Sequence, residues 1–141
     1  MTDKTYPKIY VYRRIVQSKM FIDSHYADPI DLDNISDEAA FSKFHFIRLF
    51  KNVYGMTPHT YLKFVRIEKA KEFISTGMPI SEACSLVGFE SSGSFTTLFK
   101  KMVGLTPSAF QIKQLRHKSE IISKPLRFIP NCFAESNGWT N

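Results

Sequence analysis

SKFHFIRLFKNVYGMTP, residues 42–58, and SSGSFTTLFKKMVGLTP, residues 91–107, are two copies of one pattern. At an offset of 49 they share Ser42/Ser91, Phe46/Phe95, Leu49/Leu98, Phe50/Phe99, Lys51/Lys100, Gly55/Gly104, Thr57/Thr106 and Pro58/Pro107, eight identities in seventeen positions. Two unrelated basic helices can share a Phe-Lys pair. They have no reason to align a glycine and a Thr-Pro as well. After a one-residue slip the likeness continues upstream, where LDNISDEAAF (32–41) lies over ISEACSLVGF (80–89). A repeat of this length indicates one supersecondary unit used twice.

Each copy predicts a helix, a turn and a second helix. Asp31 or Asp33 can cap the first short helix, and Ser81 the equivalent one in copy two. The turns fall near Phe41 and near Gly88-Phe89. Ser42 and Ser91 stand where the second helices begin, with hydroxyls for the orphan N–H groups. Gly55 and Gly104 are placed to end those helices in a left-handed conformation. Thr57-Pro58 and Thr106-Pro107 then cap and open the next ones, with Pro at the first helical position, where its missing N–H costs nothing.

On a wheel of about 100° per residue, Phe46, Leu49, Phe50 and Val53 form the inner face of the second helix in copy one. Phe44, Ile47, Arg48 and Lys51 form the outer face. In copy two the inner face is Phe95, Leu98, Phe99 and Met102, and the outer face is Gly93, Thr96, Thr97 and Lys100. Phe44 and Ile47 are apolar residues turned away from their own core. They can pack against a neighbouring element. They can also enter a DNA major groove, where apolar groups meet thymine methyls and Arg reads guanine. Copy two offers small and hydroxyl groups with one strong cation, Lys100, a surface that tracks a phosphate backbone more than it reads bases.

Between the copies runs PHTYLKFVRIEKAKEFIST, residues 58–76. Its apolar residues point to almost every side, which predicts a helix buried between neighbours. As a helix it is a rod of roughly 28 Å. That length can hold two recognition helices about one DNA turn, near 34 Å, apart. An earlier helix is expected over roughly residues 8–26, with Ile15, Ile22 and Tyr26 on its core stripe and Pro29 as its stop. A last helix is expected from Pro107 to about Lys118.

The 141 residues suffice for one domain or two small lobes, and 43% hydrophobic with 23% charged residues is an ordinary globular balance. The net charge of +6 is unevenly spread. Residues 23–38 hold six acids and no Lys or Arg; residues 43–71 hold seven bases against Glu68; residues 100–127 hold seven against Glu120. A nucleic-acid surface needs such polarisation. No apolar run approaches the ~20 residues of a membrane span, and MTDKTYPKIY has no secretory core. Cys84 and Cys132 form no CxxC pair and fit reduced thiols in a cytoplasmic protein. His25, His45, His59 and His117 lack an HExxH or CxxC companion, so neither a metal site nor a cofactor site is expected. No Gly-rich phosphate loop or nucleophile elbow is visible, and no catalytic residue is assigned.

The sequence resembles the DNA-binding domain of the AraC/XylS family of bacterial transcription regulators. The resemblance lies in SKFHFIRLFKNVYG, TYLKFVRIEKAKEFI and PISEACSLVGFESSGSFTTLFKKMVGLTP, and covers roughly residues 10–113. The signature elements are Ile80, Gly88-Phe89, Ser91 to Ser94, Phe95, Phe99-Lys100 and Gly104 to Pro107. It implies an all-α, seven-helix bipartite domain in which two helix-turn-helix lobes are joined by a long central helix. Both recognition helices would enter successive major grooves on one DNA face. By position, the base-reading residues would be Phe44, Ile47 and Arg48 in lobe one, and Ser92, Gly93, Ser94 and Thr97 in lobe two. Lys51 and Lys100 complete the expected DNA surface, with Ser42, Lys43, His45, Ser91 and Lys101 as phosphate contacts. Position 97 is Thr where the family commonly has Arg, and Gly93 lowers helix propensity by about 1 kcal/mol relative to Ala. DNA-repair methyltransferases that carry this domain also use a cysteine-rich zinc lobe, which these residues do not contain.

The organisation expected is a leader over 1–9, lobe one over 10–57, the linker helix over 58–76, lobe two over 77–113 and a tail over 114–141. In length the chain resembles stand-alone family members without an effector domain; a piece of a longer regulator is the other reading. The expected function is a sequence-specific regulator, an activator, that binds double-stranded DNA as a monomer, since lobes related by translation suit an asymmetric site. The competing reading is a protein-interaction module built on degenerate helix-turn-helix lobes. The acidic stretch 23–38 can face a protein partner such as RNA polymerase or simply be solvated away from DNA. The segment SEIISKPLRFIPNCFAESNGWTN (119–141) is apolar enough to dock on the domain or to meet a partner through Phe128 and Trp139.

Overall fold

A computed structural model of the chain describes residues 5–32 and 43–123. Six helices and no strand occur among them: α1 (Thr5–His25), α2 (Lys43–Tyr54), α3 (Pro58–Ser75), α4 (Ile80–Leu86), α5 (Ser92–Val103) and α6 (Pro107–Ser123). The expected first helix of lobe one, and the cap role of Ser42, fall on residues 33–42, outside the described residues. So does the segment 124–141, with Phe128, Cys132 and Trp139.

The two copies are built alike down to single hydrogen bonds. Gly55 and Gly104 have φ of 81° and 93°, and their N–H groups donate to the carbonyls of Lys51 (2.7 Å) and Lys100 (2.9 Å). The Thr57 hydroxyl accepts from the Thr60 N–H at 3.3 Å, and Thr106 accepts from Ala109 at 3.2 Å. Inside each lobe a pair of phenylalanines one turn apart is fully buried. Phe46 and Phe50 lie 6.0 Å apart at 56°, and Phe95 and Phe99 5.6 Å apart at 52°. The equivalence runs past the quoted stretch: Phe50 meets Tyr61 at 5.8 Å, and Phe99 meets Phe110 at 5.5 Å, again residues 49 apart. Truncating any of the four buried rings to Ala costs roughly 3–5 kcal/mol, a large part of a small domain's stability.

There are two cores. Ile15, Ile22, Leu32, Phe46, Phe50 and Leu62 form that of lobe one. Ile67, Ala70, Ile74, Ala83, Cys84, Val87, Phe95, Phe99 and Phe110 form that of lobe two. Helix α3 supplies both. Pro58 and Leu62 bury one side of it, and Ile67, Ala70 and Ile74 a side roughly 130° further round. This shift explains the nearly uniform apolar pattern of the sequence. Burial is nonetheless not complete all round, since Lys63 is exposed and Phe64 is 38% exposed. On α1, Ile15 and Ile22 are fully buried, and in the turn just after it Tyr26 packs against both cores.

Two local expectations change. Ser81 does not cap α4: the cap position is Pro79, without a side-chain bond, and Ser81 sits inside the first turn. The Pro79 carbonyl accepts from the Glu82 and Ala83 N–H groups, so the turn closes on backbone alone. Helix α6 continues past Lys118 to Ser123, because nothing before Pro125 interrupts it.

Gly77 and Gly88 share a φ of 97°, but a Cβ at Gly77 would meet nothing within 4 Å, whereas one at Gly88 would lie 2.9 Å from the Ala27 carbonyl oxygen. Gly77→Ala should cost about 1–2 kcal/mol, the strain of the left-handed region alone. Gly88→Ala should cost distinctly more, because backbone must move. Urea unfolding of both variants checks this, and equal losses would mean that space at position 88 is not limiting.

Candidate nucleic-acid interface

Helix α2 is held by its buried Phe46 and Phe50, and α5 by Phe95 and Phe99. The start of α5 is fixed by Ser91, whose hydroxyl accepts from the Ser94 N–H at 3.3 Å while its own proton stays available to an acceptor. With the inner faces anchored, the i, i+3, i+4 spacing sends Phe44, Arg48 and Lys51 out on one side of α2. All three are exposed, and Phe44 is 76% exposed. Lys43 and His45 are exposed in the first turn. Ile47 departs from the wheel: it is half-buried and packs against the lobe-one core. Its position is at the edge of the outer face, with only part of its surface open. At the far ends of the inner stripes, Val53 and Met102 emerge toward solvent.

On α5, Ser92, Gly93, Ser94, Thr97, Lys100 and Lys101 are exposed, and Thr96 is half-buried. A Cβ at Gly93 would meet only the Ser91 hydroxyl at 3.7 Å, so the helix presents bare backbone there with room to spare. The two faces differ in kind. Lobe one offers a protruding aromatic ring beside a guanidinium, the pair suited to base edges and methyl groups. Lobe two offers hydroxyls and ammonium groups, suited to phosphate oxygens.

Among the described residues no carboxylate lies in ion-pair range of Arg48, Lys51, Lys100 or Lys101, and the same holds for Arg13, Lys63, Lys113 and Arg116. Several other bases are engaged. Lys19 pairs with Asp23 at 2.8 Å, Lys71 with Glu68 at 3.2 Å and Lys69 with Glu72 at 3.8 Å. Lys118 donates to the Ser75 carbonyl at 2.6 Å, where a cation at the end of α3 satisfies an orphan acceptor. Asp23, part of the acidic stretch, also accepts from the Tyr61 hydroxyl. Burial, and then this bond, push the Tyr61 phenol above its ordinary range.

Two structural residues carry no motif in the sequence. Gln111 donates to the carbonyls of Ile74 (3.2 Å) and Met78 (2.6 Å), tying α6 to the end of α3. Arg66, half-buried, donates from Nε to the Tyr26 carbonyl at 2.6 Å and from Nη2 to the Asp28 carbonyl at 3.0 Å. Burial pulls its guanidinium below the usual arginine range. The signal for Arg66 is its register, since Leu62, Arg66, Ala70 and Ile74 repeat every fourth residue along a core-facing line. Among the described residues no group of three or more His, Cys, Asp or Glu could hold a metal, and no helix is long and apolar enough to cross a membrane.

A helix-turn-helix domain family matches residues 35–113. The probable transcriptional regulator LumQ of Photobacterium leiognathi is 33% identical over 92 residues, which are 64% of this chain and 37% of LumQ. The bifunctional transcriptional activator/DNA repair enzyme AdaA of Bacillus subtilis is 34% identical over 92 residues, 64% of this chain and 44% of AdaA. The chain thus spans less than half the length of these relatives. Among solved structures, the C-terminal domain of AraT, a response regulator from Geobacillus stearothermophilus, superposes with a TM-score of 0.66 at 26% identity, covering 71% of this chain and 84% of that one. With a family match over more than half of its length, the chain belongs to the AraC/XylS family of helix-turn-helix transcription regulators.

Proposed function

We propose that the protein is a sequence-specific transcription activator that binds double-stranded DNA as a monomer, placing α2 and α5 in successive major grooves. The observation that carries this reading is the pair of equivalently anchored helices whose outer faces hold the uncompensated cations Arg48, Lys51, Lys100 and Lys101. In lobe one, Phe44 and Arg48 read bases, Ile47 contributes its open edge, and Lys51, Lys43 and His45 hold the backbone. In lobe two, Ser92, Gly93, Ser94 and Thr97 line the groove, while Ser91, Lys100 and Lys101 meet phosphates. Ser42, the counterpart of Ser91 in the sequence repeat, is assigned the same phosphate contact. The protein acts in the cytoplasm, without a cofactor and without catalysis of its own.

Selection of bound sites from random DNA, followed by titration of the selected site, tests this. Saturable binding to chosen fragments with none to competitors is expected, and indiscriminate or absent binding would contradict it. Arg48→Ala should cost about 1–3 kcal/mol and relax the preference at one base position. An equal loss on random DNA would remove the base-reading role. Lys51→Ala should weaken all sequences alike and reduce the slope of log affinity against log salt by about one.

Lobe two predicts a gain. Thr97 is exposed and lies on the outer face of α5. Thr97→Arg should tighten binding and add a guanine preference of about 1–3 kcal/mol at one position of the lobe-two half-site. A repeat of the site selection with this variant shows whether a new preferred base emerges; an unchanged site would mean that position 97 does not reach the base edges.

A further inference from the structure

The two lobes are joined by more than the shared helix. The turn after α1, residues 26–28, belongs to lobe one, and the turn over 87–90 leads directly into α5 of lobe two. These two turns meet over Arg66. Its Nε and Nη2 hold the carbonyls of Tyr26 and Asp28 at 2.6 and 3.0 Å. Its guanidinium carbon also lies 5.9 Å from the centre of the Phe89 ring. The Gly88 backbone comes so close that a Cβ there would be 3.1 Å from the guanidinium carbon and 3.2 Å from Nε. One planar cation therefore lies between backbone of lobe one and the recognition turn of lobe two.

Phe89 passes the constraint on to the recognition helix. Its ring packs edge-on against Phe95 at 5.2 Å and 63°, and Phe95 is the first fully buried ring of α5. The Phe89 N–H and the Gly88 N–H close the end of α4 on the carbonyls of Cys84 and Ser85, both at 3.1 Å. Displacing Phe89 therefore displaces the start of α5. A guanidinium suits this place because it forks to two acceptors while it lies within cation–π range of a ring; an ammonium is a single point on a flexible stem.

We propose that Arg66 is a positioning residue that fixes α5 relative to lobe one, and so sets the spacing between the two half-sites that the protein accepts. The part concerning DNA rests on the proposed function; the part concerning the lobes does not. Half-sites on one duplex face must lie about 10–10.5 base pairs apart, and one inserted pair turns the second by roughly 35°. A rigid junction penalises that step and a loosened one tolerates it.

Two measurements test this, with Arg66→Lys and with Phe89→Leu, which keeps an apolar side chain but removes the ring beneath the cation. First, on the selected site and on copies with one pair added or removed between half-sites, the wild type should lose about tenfold or more per step, and each variant no more than about threefold. A merely structural role would lower affinity for all spacings equally, and an unchanged spacing preference overturns the proposal. Second, spin labels at Asn52→Cys and Ser108→Cys in a Cys132→Ser background report the distance between lobes without DNA. A distribution that broadens in both variants supports the positioning role, and one that matches the wild type in both overturns it. If the distances broaden while the wild type selects no DNA sequence, the junction stands and the DNA-binding reading falls.

Discussion

A single helix has to complete two hydrophobic cores. Leu62 closes that of lobe one, and Ile67, Ala70 and Ile74 close that of lobe two, on a side of α3 well round from the first. Neither lobe buries its phenylalanine pair without α3, so the two are covalently and energetically coupled through it. The seam between the two apolar sectors is where Arg66 lies. A charge at that seam must find acceptors. It finds two backbone carbonyls in the turn that follows α1.

The inner and outer faces of the repeat have diverged to different degrees. Inside, the rings at Phe46 and Phe50 match those at Phe95 and Phe99 in separation and tilt, and the caps at Thr57 and Thr106 match to about a tenth of an ångström. Outside, little matches. Phe44 stands opposite Gly93 and Arg48 opposite Thr97. Packing holds the inner positions to nearly fixed volumes. An exposed residue carries no such restriction and can adapt to whatever surface it meets.

Charge counting overstates the size of the interface. Of the bases in the two basic blocks, Lys69 and Lys71 pair with glutamates on their own helix, Arg66 is built into the junction, and Lys118 terminates α3. Arg48, Lys51, Lys100 and Lys101 remain on the two helices that the repeat singles out, while Lys63 on α3 and Lys113 and Arg116 on α6 are exposed away from those faces. In the same way, Asp23 pairs with Lys19 on its own helix and accepts from Tyr61, a bond that ties α1 to α3, so the acidic stretch is partly structural.

The sequence by itself determined the repeated unit, its glycine and Thr-Pro boundaries, the buried phenylalanines and the exposed face of α2. Each of these comes from local rules: a missing N–H at Pro, a left-handed residue at Gly, and a period that sorts side chains onto faces. Helix starts without a side-chain cap are less legible, as with Ser81 and Pro79, because a backbone-only turn leaves no mark in residue type. The partial burial of Ile47 is hidden for a similar reason, since a wheel treats a helix as isolated and cannot see how wide a neighbour's footprint is. Only the tertiary structure decided which core each residue of α3 joins, and that Arg66 and Gly88 bring the two lobes together. Those contacts join residues some twenty to sixty apart in the chain, and no local periodicity encodes a distance between elements that meet only after folding.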